Sequence, residues 1–175
     1  MKFSDIKPFT ENGDYEVNIG LKHLESTLKD YEEDYGLELN PDFQRGAVWT
    51  EEQQIAYVEF FLRGGKTARV IYFNYPSFCR IVKDNDSPMV CVDGLQRLTA
   101  LRKFLNNELK VFGSYLNDFE DKDIMLRTIG QLRFNINNLQ TRKEVLQWYL
   151  DFNTGGTVHS QEEIDRVKKL LEKED

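Results

Sequence analysis

Residues 90 to 101, Val-Cys-Val-Asp-Gly-Leu-Gln-Arg-Leu-Thr-Ala-Leu, carry an apolar strand through Asp93-Gly94 straight into a helix. A strand that turns into a helix with no spacer leaves few ways to pack, and it puts a carboxylate and an arginine at the junction. From Leu95 the leucines recur at Leu98, Leu101 and Leu105, a stripe that buries one helical face and leaves Gln96 and Arg97 in the first turn, off that stripe. The first turn has free N–H groups and the positive end of the macrodipole, so a cation there costs about 0.3 to 1 kcal/mol unless an anion joins it. The plainer reading is an ion pair of Arg97 with Asp93 that stabilises the turn. The functional reading supplies phosphate as the anion.

A chain of 175 residues with 40% hydrophobic content has enough apolar mass for one core, able to bury on the order of 70% of its extended-chain surface, so a single domain over 1–175 is expected. The formal charge of −7 and the acidic run Asp30-Tyr31-Glu32-Glu33-Asp34 argue against a protein that coats nucleic acid, because such binding draws on phosphate neutralisation. Contact with DNA is left to a local basic cleft. Cys79 and Cys91 lie in apolar stretches without metal spacing and read as buried, inert thiols. His23 and His159 are isolated, so no HNH, HExxH or Cys/His cluster can be assembled and cleavage of DNA by this chain alone is not expected. With no signal peptide and no apolar run of membrane-span length, the chain reads as cytoplasmic, without a membrane partner.

Residues 1–14 are polar, and 15–19 alternate as a short strand before a helix over 21–35 with Leu21, Leu24 and Leu28 inward. Asn40-Pro41 breaks helical geometry, leaving 41–45 irregular or extended, a bend for which the sequence gives no packing role. Thr50 with Gln53 forms a capping box for a helix that continues through Ile55, Val58, Phe61 and Leu62 to Gly64-Gly65. Strands are expected at 68–75, 78–83 and 89–92, then the helix 95–107, an unpatterned stretch 108–130 and a short strand at 133–137. Two further capping boxes, Thr141 with Glu144 and Ser160 with Glu163, make 141–172 helical around the turn at Asn153-Thr154-Gly155-Gly156.

Four segments hold polar residues that folding alone does not require: Pro41-Asp42-Phe43-Gln44-Arg45, Asp93-Gly94-Leu95-Gln96-Arg97, Asn153-Thr154-Gly155-Gly156, and the capped helix start at Ser160. In this order and spacing, with Trp49 after the first of them, they resemble the ParB/sulfiredoxin-like domain with an Asp-Gly-Gln-Gln-Arg motif. That domain forms the amino-terminal part of GmrSD-type modification-dependent restriction endonucleases and related phage-defence proteins. The likeness covers residues 21–171.

The resemblance implies an α+β fold, a small mixed sheet flanked by helices with a helical carboxyl-terminal third. It implies a nucleoside triphosphate (ATP, GTP or CTP) with Mg²⁺, bound through Gly94, Gln96, Arg97, Gln44, Arg45 and Asn153, with Arg45 as a second phosphate clamp. Asp93 and Gln96 would carry any catalysis, with Asp93 holding the metal or orienting water, and hydrolysis is expected to be slow. The implied role is regulation or sensing in restriction, with the nucleotide state read by a protein partner or a separate nuclease subunit. Leu95 stands where the family has its first glutamine and continues the core stripe; it also excludes the reactive cysteine of sulfiredoxins. The HNH domain of the larger restriction proteins is absent from these 175 residues, so a standalone version, of a kind a phage could encode, is expected. Two alternatives stay open: a nucleotide-free DNA- or protein-binding module such as a decoy, and, far weaker, a nuclease in its own right.

Overall fold

A computed structural model of the chain describes residues 15–46, 48–78, 87–128, 130–154 and 161–174. Alternation of apolar and polar residues builds its sheet. In β4 (Gln131–Asn137) Leu132, Phe134 and Ile136 are fully buried on one face, while Gln131 and Arg133 on the other are exposed. Rather than a marginal strand, β4 lies inside the sheet, between β1 (Tyr15–Gly20) and β2 (Val70–Asn74), and β3 (Val90–Asp93) completes the order β1-β4-β2-β3. The pairings β1–β4 and β2–β3 are antiparallel and β2–β4 is parallel, so the sheet is mixed.

The apolar face is covered by helices whose leucine and aromatic stripes match it: α1 (Leu24–Tyr35), α2 (Glu51–Leu62) and α3 (Leu95–Leu105). A 3-10 turn at Leu21–His23 delays the start of the first helix. The Thr50–Gln53 capping box is present in both directions, with Gln53 N–H donating to Thr50 Oγ1 at 3.3 Å and Thr50 N–H to Gln53 Oε1 at 2.9 Å. The stretch that carries no sequence pattern holds a tight turn at Val111–Ser114, a 3-10 turn at Leu116–Asp118 and the short helix α4 (Lys122–Thr128).

Helices α5 (Arg142–Thr154) and α6 (Gln161–Leu171) form the carboxyl-terminal end and a second, smaller core with Phe43 and Val92. The second expected box holds here too, since Thr141 N–H and Oγ1 donate to Glu144 Oε2 at 2.9 and 2.8 Å. The architecture is therefore α+β, a four-stranded mixed sheet with helices gathered at the carboxyl-terminal end. Several expectations fall outside the described residues: the polar segment 1–14, most of the strand at 78–83 with Cys79, and 155–160 with Gly155-Gly156 and Ser160. No helix among the described residues is long and apolar enough to cross a membrane.

Candidate functional site at the β3–α3 turn

Strict alternation from the buried Cys91 would aim Asp93 into the main core. A bulge prevents this: Phe73 pairs with Cys91 but its neighbour Tyr72 pairs with Asp93, so Val92 is an extra residue. Val92 buries against the second core, and Asp93 emerges on the polar face of the sheet. The chain then turns through Gly94 at φ +111°, where a Cβ would lie 2.6 Å from Ile71 Cδ1 and 3.3 Å from Ile71 Cα. Both the backbone conformation and the close approach of β2 demand glycine at this position.

Gly94 is the N-cap of α3, and no side chain caps that end. Arg97, one turn in, makes an ion pair with Asp93, the arginine side chain 16% and the aspartate side chain 39% exposed. A mostly buried arginine thus lies beside uncapped N–H groups, with one half-exposed carboxylate as its counter-ion. Cys91, just before, is fully buried, and burial together with the negative charge of Asp93 pushes its thiol pKa up.

The expected Pro41–Arg45 element does lie against this turn, held there by side-chain amides. Gln44 Nε2 donates to the carbonyls of Cys91 at 3.1 Å and Val92 at 2.9 Å, continuing the hydrogen bonding of β3 beyond its bridge to Glu38. From the other side Gln96 donates to Gly46 O at 2.5 Å and accepts from Val48 N–H at 2.9 Å and Trp49 N–H at 3.1 Å. Gln54 of α2 donates to Trp49 O at 2.8 Å. Both ends of the Gln96 amide and the donor end of Gln44 are therefore taken by backbone. The bend at Pro41 has a packing role that the sequence did not reveal: Pro41 is buried, and Phe43 is 1% exposed and meets Tyr149 of α5 at 5.2 Å.

The same segment is gripped from the carboxyl-terminal helices. Arg166 donates to the carbonyls of Asp42 at 2.7 Å, Phe43 at 2.9 Å and Gln44 at 3.1 Å, and Arg142 forks onto the Asp42 carboxylate at 2.9 and 2.8 Å. Arg45, half-buried, comes just after these anchors. Asn153 lies in the last turn of α5, its side chain outside the described residues.

Beyond Asp93 the polar face continues in a single register row, Asp93 on β3, Tyr72 on β2, Asn135 on β4 and Glu16 on β1. Burial, helped by the charge of Asp93, raises the pKa of Tyr72, which keeps its phenol protonated. No group of three or more His, Cys, Asp or Glu among the described residues could cage a metal ion. A magnesium ion here would have Asp93 as its one carboxylate, a donor set that fits only if phosphate oxygens and water complete the octahedron. Sequence reasoning found Asp93, Gly94, Arg97 and Arg45 but missed the row across the sheet; its signal was the polar residue at every second position of Arg133-Phe134-Asn135-Ile136-Asn137.

With the fold and the turn in place, comparison with known proteins gives one finding: the model of the "GmrSD restriction endonuclease, N-terminal domain" matches residues 24–173. Neither a curated protein nor a solved structure matches the chain.

Proposed function

The chain belongs to the GmrSD restriction endonuclease N-terminal domain family, and from that premise we propose that its β3–α3 turn binds the phosphates of a nucleoside triphosphate as a regulatory module of a restriction system. The observation that carries the reading is Arg97 itself. An arginine at the uncapped start of a helix, its side chain 16% exposed and paired among the described residues with the partly exposed Asp93, is a cation set beside free N–H donors. An incoming phosphate gains hydrogen bonds there that water gives less well, and Gly94 lets it approach the backbone.

In this reading each residue has a distinct task. Arg97 and the first-turn N–H groups bind phosphate, and Arg45, delivered by the anchored 41–46 segment, closes over it from the other side. Gln96 and Gln44 position that segment. Asp93 is the residue that would hold a magnesium ion, which would supply neutralisation of phosphate charge, or would orient a water, and hydrolysis would be slow at most. The bonds from Arg166 to the carbonyls of Asp42, Phe43 and Gln44 favour transmission of occupancy to the carboxyl-terminal helices, where a separate nuclease subunit or other protein partner reads it.

The test is a thermal-shift series of the purified chain against ATP, GTP, CTP and UTP with and without Mg²⁺. Ligand at about a hundred times its dissociation constant adds roughly 2.7 kcal/mol, a rise of about 5 to 11 °C for a domain of this size. No shift with any of the four up to millimolar concentration, while DNA or a protein partner binds the parent and not Arg97→Ala, would transfer the site to a nucleotide-free binding module.

A further inference from the structure

The row Asp93, Tyr72, Asn135, Glu16 crosses all four strands, and its middle is chemically incomplete. Asn135 is 3% exposed; its Nδ2 donates to Glu16 Oε1 at 3.1 Å, while its Oδ1 is buried and has no hydrogen-bond partner among the described residues. The amide cannot be turned round to remove the difficulty, because a carboxylate only accepts and so holds the NH₂ end toward Glu16. A buried acceptor left without a donor costs on the order of 1 to 3 kcal/mol, a feature that folding gives no reason to keep.

Its register neighbour on the path to Asp93 is Tyr72, half-buried, whose ring meets Phe152 at 4.5 Å and Trp148 at 5.9 Å. A half-open aromatic surface therefore stands between the turn and an unpaired acceptor. Neighbouring strands are about 4.8 Å apart, which puts Asn135 two strands, about 10 Å, from Asp93, the scale of a ribose with its base.

We propose that this stretch of the polar sheet face is a nucleobase subsite: the base stacks on Tyr72 and Phe152, and an N–H of its edge donates to Asn135 Oδ1, whose orientation Glu16 fixes. The inference rests on the phosphate reading above and adds to it the part of the ligand that confers selectivity. Because the oxygen is closed over, the base reaches it by displacing its cover, so base recognition is coupled to a rearrangement of this face. Arg133 pairs with the second oxygen of Glu16 at 3.5 Å and helps hold the carboxylate in place.

The experiment is titration of the full chain with the four common nucleoside triphosphates and with inorganic tripolyphosphate, repeated for Asn135→Leu, Tyr72→Leu and Glu16→Gln, each with its melting temperature. The parent should prefer one base over the others by about tenfold or more, since a site built around a polar group rejects a base that leaves it unpaired. Asn135→Leu should erase that preference, leave tripolyphosphate binding unchanged, and melt no lower than the parent. Tyr72→Leu should weaken all four nucleotides by about fivefold or more relative to tripolyphosphate, the loss of one stacking partner. Glu16→Gln, which frees the amide to turn, should narrow the preference without abolishing it.

If the parent binds all four nucleotides no better than tripolyphosphate, or Asn135→Leu keeps the full base preference, the subsite is overturned and the phosphate site stands. If tripolyphosphate and all four nucleotides fail to bind, the phosphate site is overturned and the subsite falls with it.

Discussion

Replacing Gln96 by leucine separates holding the site from touching the ligand. The change keeps helix propensity but deletes three hydrogen bonds, to Gly46 O, Val48 N–H and Trp49 N–H. At about 0.5 to 1.5 kcal/mol each these sum to about 1.5 to 4.5 kcal/mol. Val48 is 47% exposed, so water replaces part of what is lost there, and a net destabilisation of about 2 kcal/mol follows. For a chain of this size that lowers the melting point by about 4 to 8 °C. Urea unfolding followed by far-UV circular dichroism should show the midpoint falling with the slope unchanged, because the same surface is exposed. Triphosphate binding should weaken less than in Arg97→Ala, since the 41–46 segment still has its Gln44 and Arg166 anchors. A Gln96→Leu protein that melts with the parent yet binds no nucleotide would refute the reasoning: the amide would then contact ligand, and its bonds to the loop would hold nothing.

Arg97→Ala and Arg45→Ala are each expected to weaken triphosphate binding by about 1.5 to 3 kcal/mol, non-additively in the double mutant because both touch one ligand; calorimetric titration checks this, and two mutants that bind like the parent but melt several degrees lower would make both arginines structural. Cys91 should resist thiol reagents in the native state and react only on unfolding, because burial disfavours the thiolate; labelling at a rate independent of denaturant would contradict this. Burial lifts the Tyr57 phenol from 10.0 to about 12 in the folded chain, so the native state holds a proton that the unfolded state releases. Stability should therefore fall as pH rises from about 10 toward 12, and Tyr57→Phe should flatten that limb of the pH profile. Arg166→Met removes three bonds to backbone carbonyls while keeping the apolar stem; it should cost about 1 to 2 kcal/mol and loosen the 41–46 segment, seen as faster amide exchange there with α3 unaffected. Exchange that accelerates only in α6 would mean the arginine holds its own helix and not the segment.

Much of this architecture was legible because the responsible forces act over a few residues. A leucine every three or four positions, a Thr-x-x-Gln or Thr-x-x-Glu box, and a proline after asparagine each determine local geometry whatever surrounds them, and α2, α3, the start of α5 and the bend at Pro41 appear where those signals put them. The central place of β4 was not legible. Its seven residues alternate cleanly, but which strands flank it depends on pairings with Tyr15–Gly20 and Val70–Asn74, more than fifty residues away. Local propensity carries no such information.

The site divides along the same line. Gly94 and Arg97 announce themselves because each violates a local rule, one through its backbone conformation and the other through its charge at a helix start. Gln44, Gln96 and Arg166 violate none, since a polar residue on a loop or helix surface is ordinary, and their significance lies entirely in partners that the fold brings to them from 47 to 124 residues away. The bulge at Val92 is hidden for the same reason: nothing in Val-Cys-Val-Asp says that two residues oppose one, yet without it Asp93 would point into the core and the turn would lack its carboxylate. A motif read from sequence therefore names the groups that meet a ligand sooner than the groups that hold them in place. In this chain the holding groups are amides and guanidiniums bonded to backbone or to the Asp42 carboxylate, contacts that tolerate no apolar substitute, so the loop that carries Arg45 depends on residues from α3, α5, α6 and its own bend.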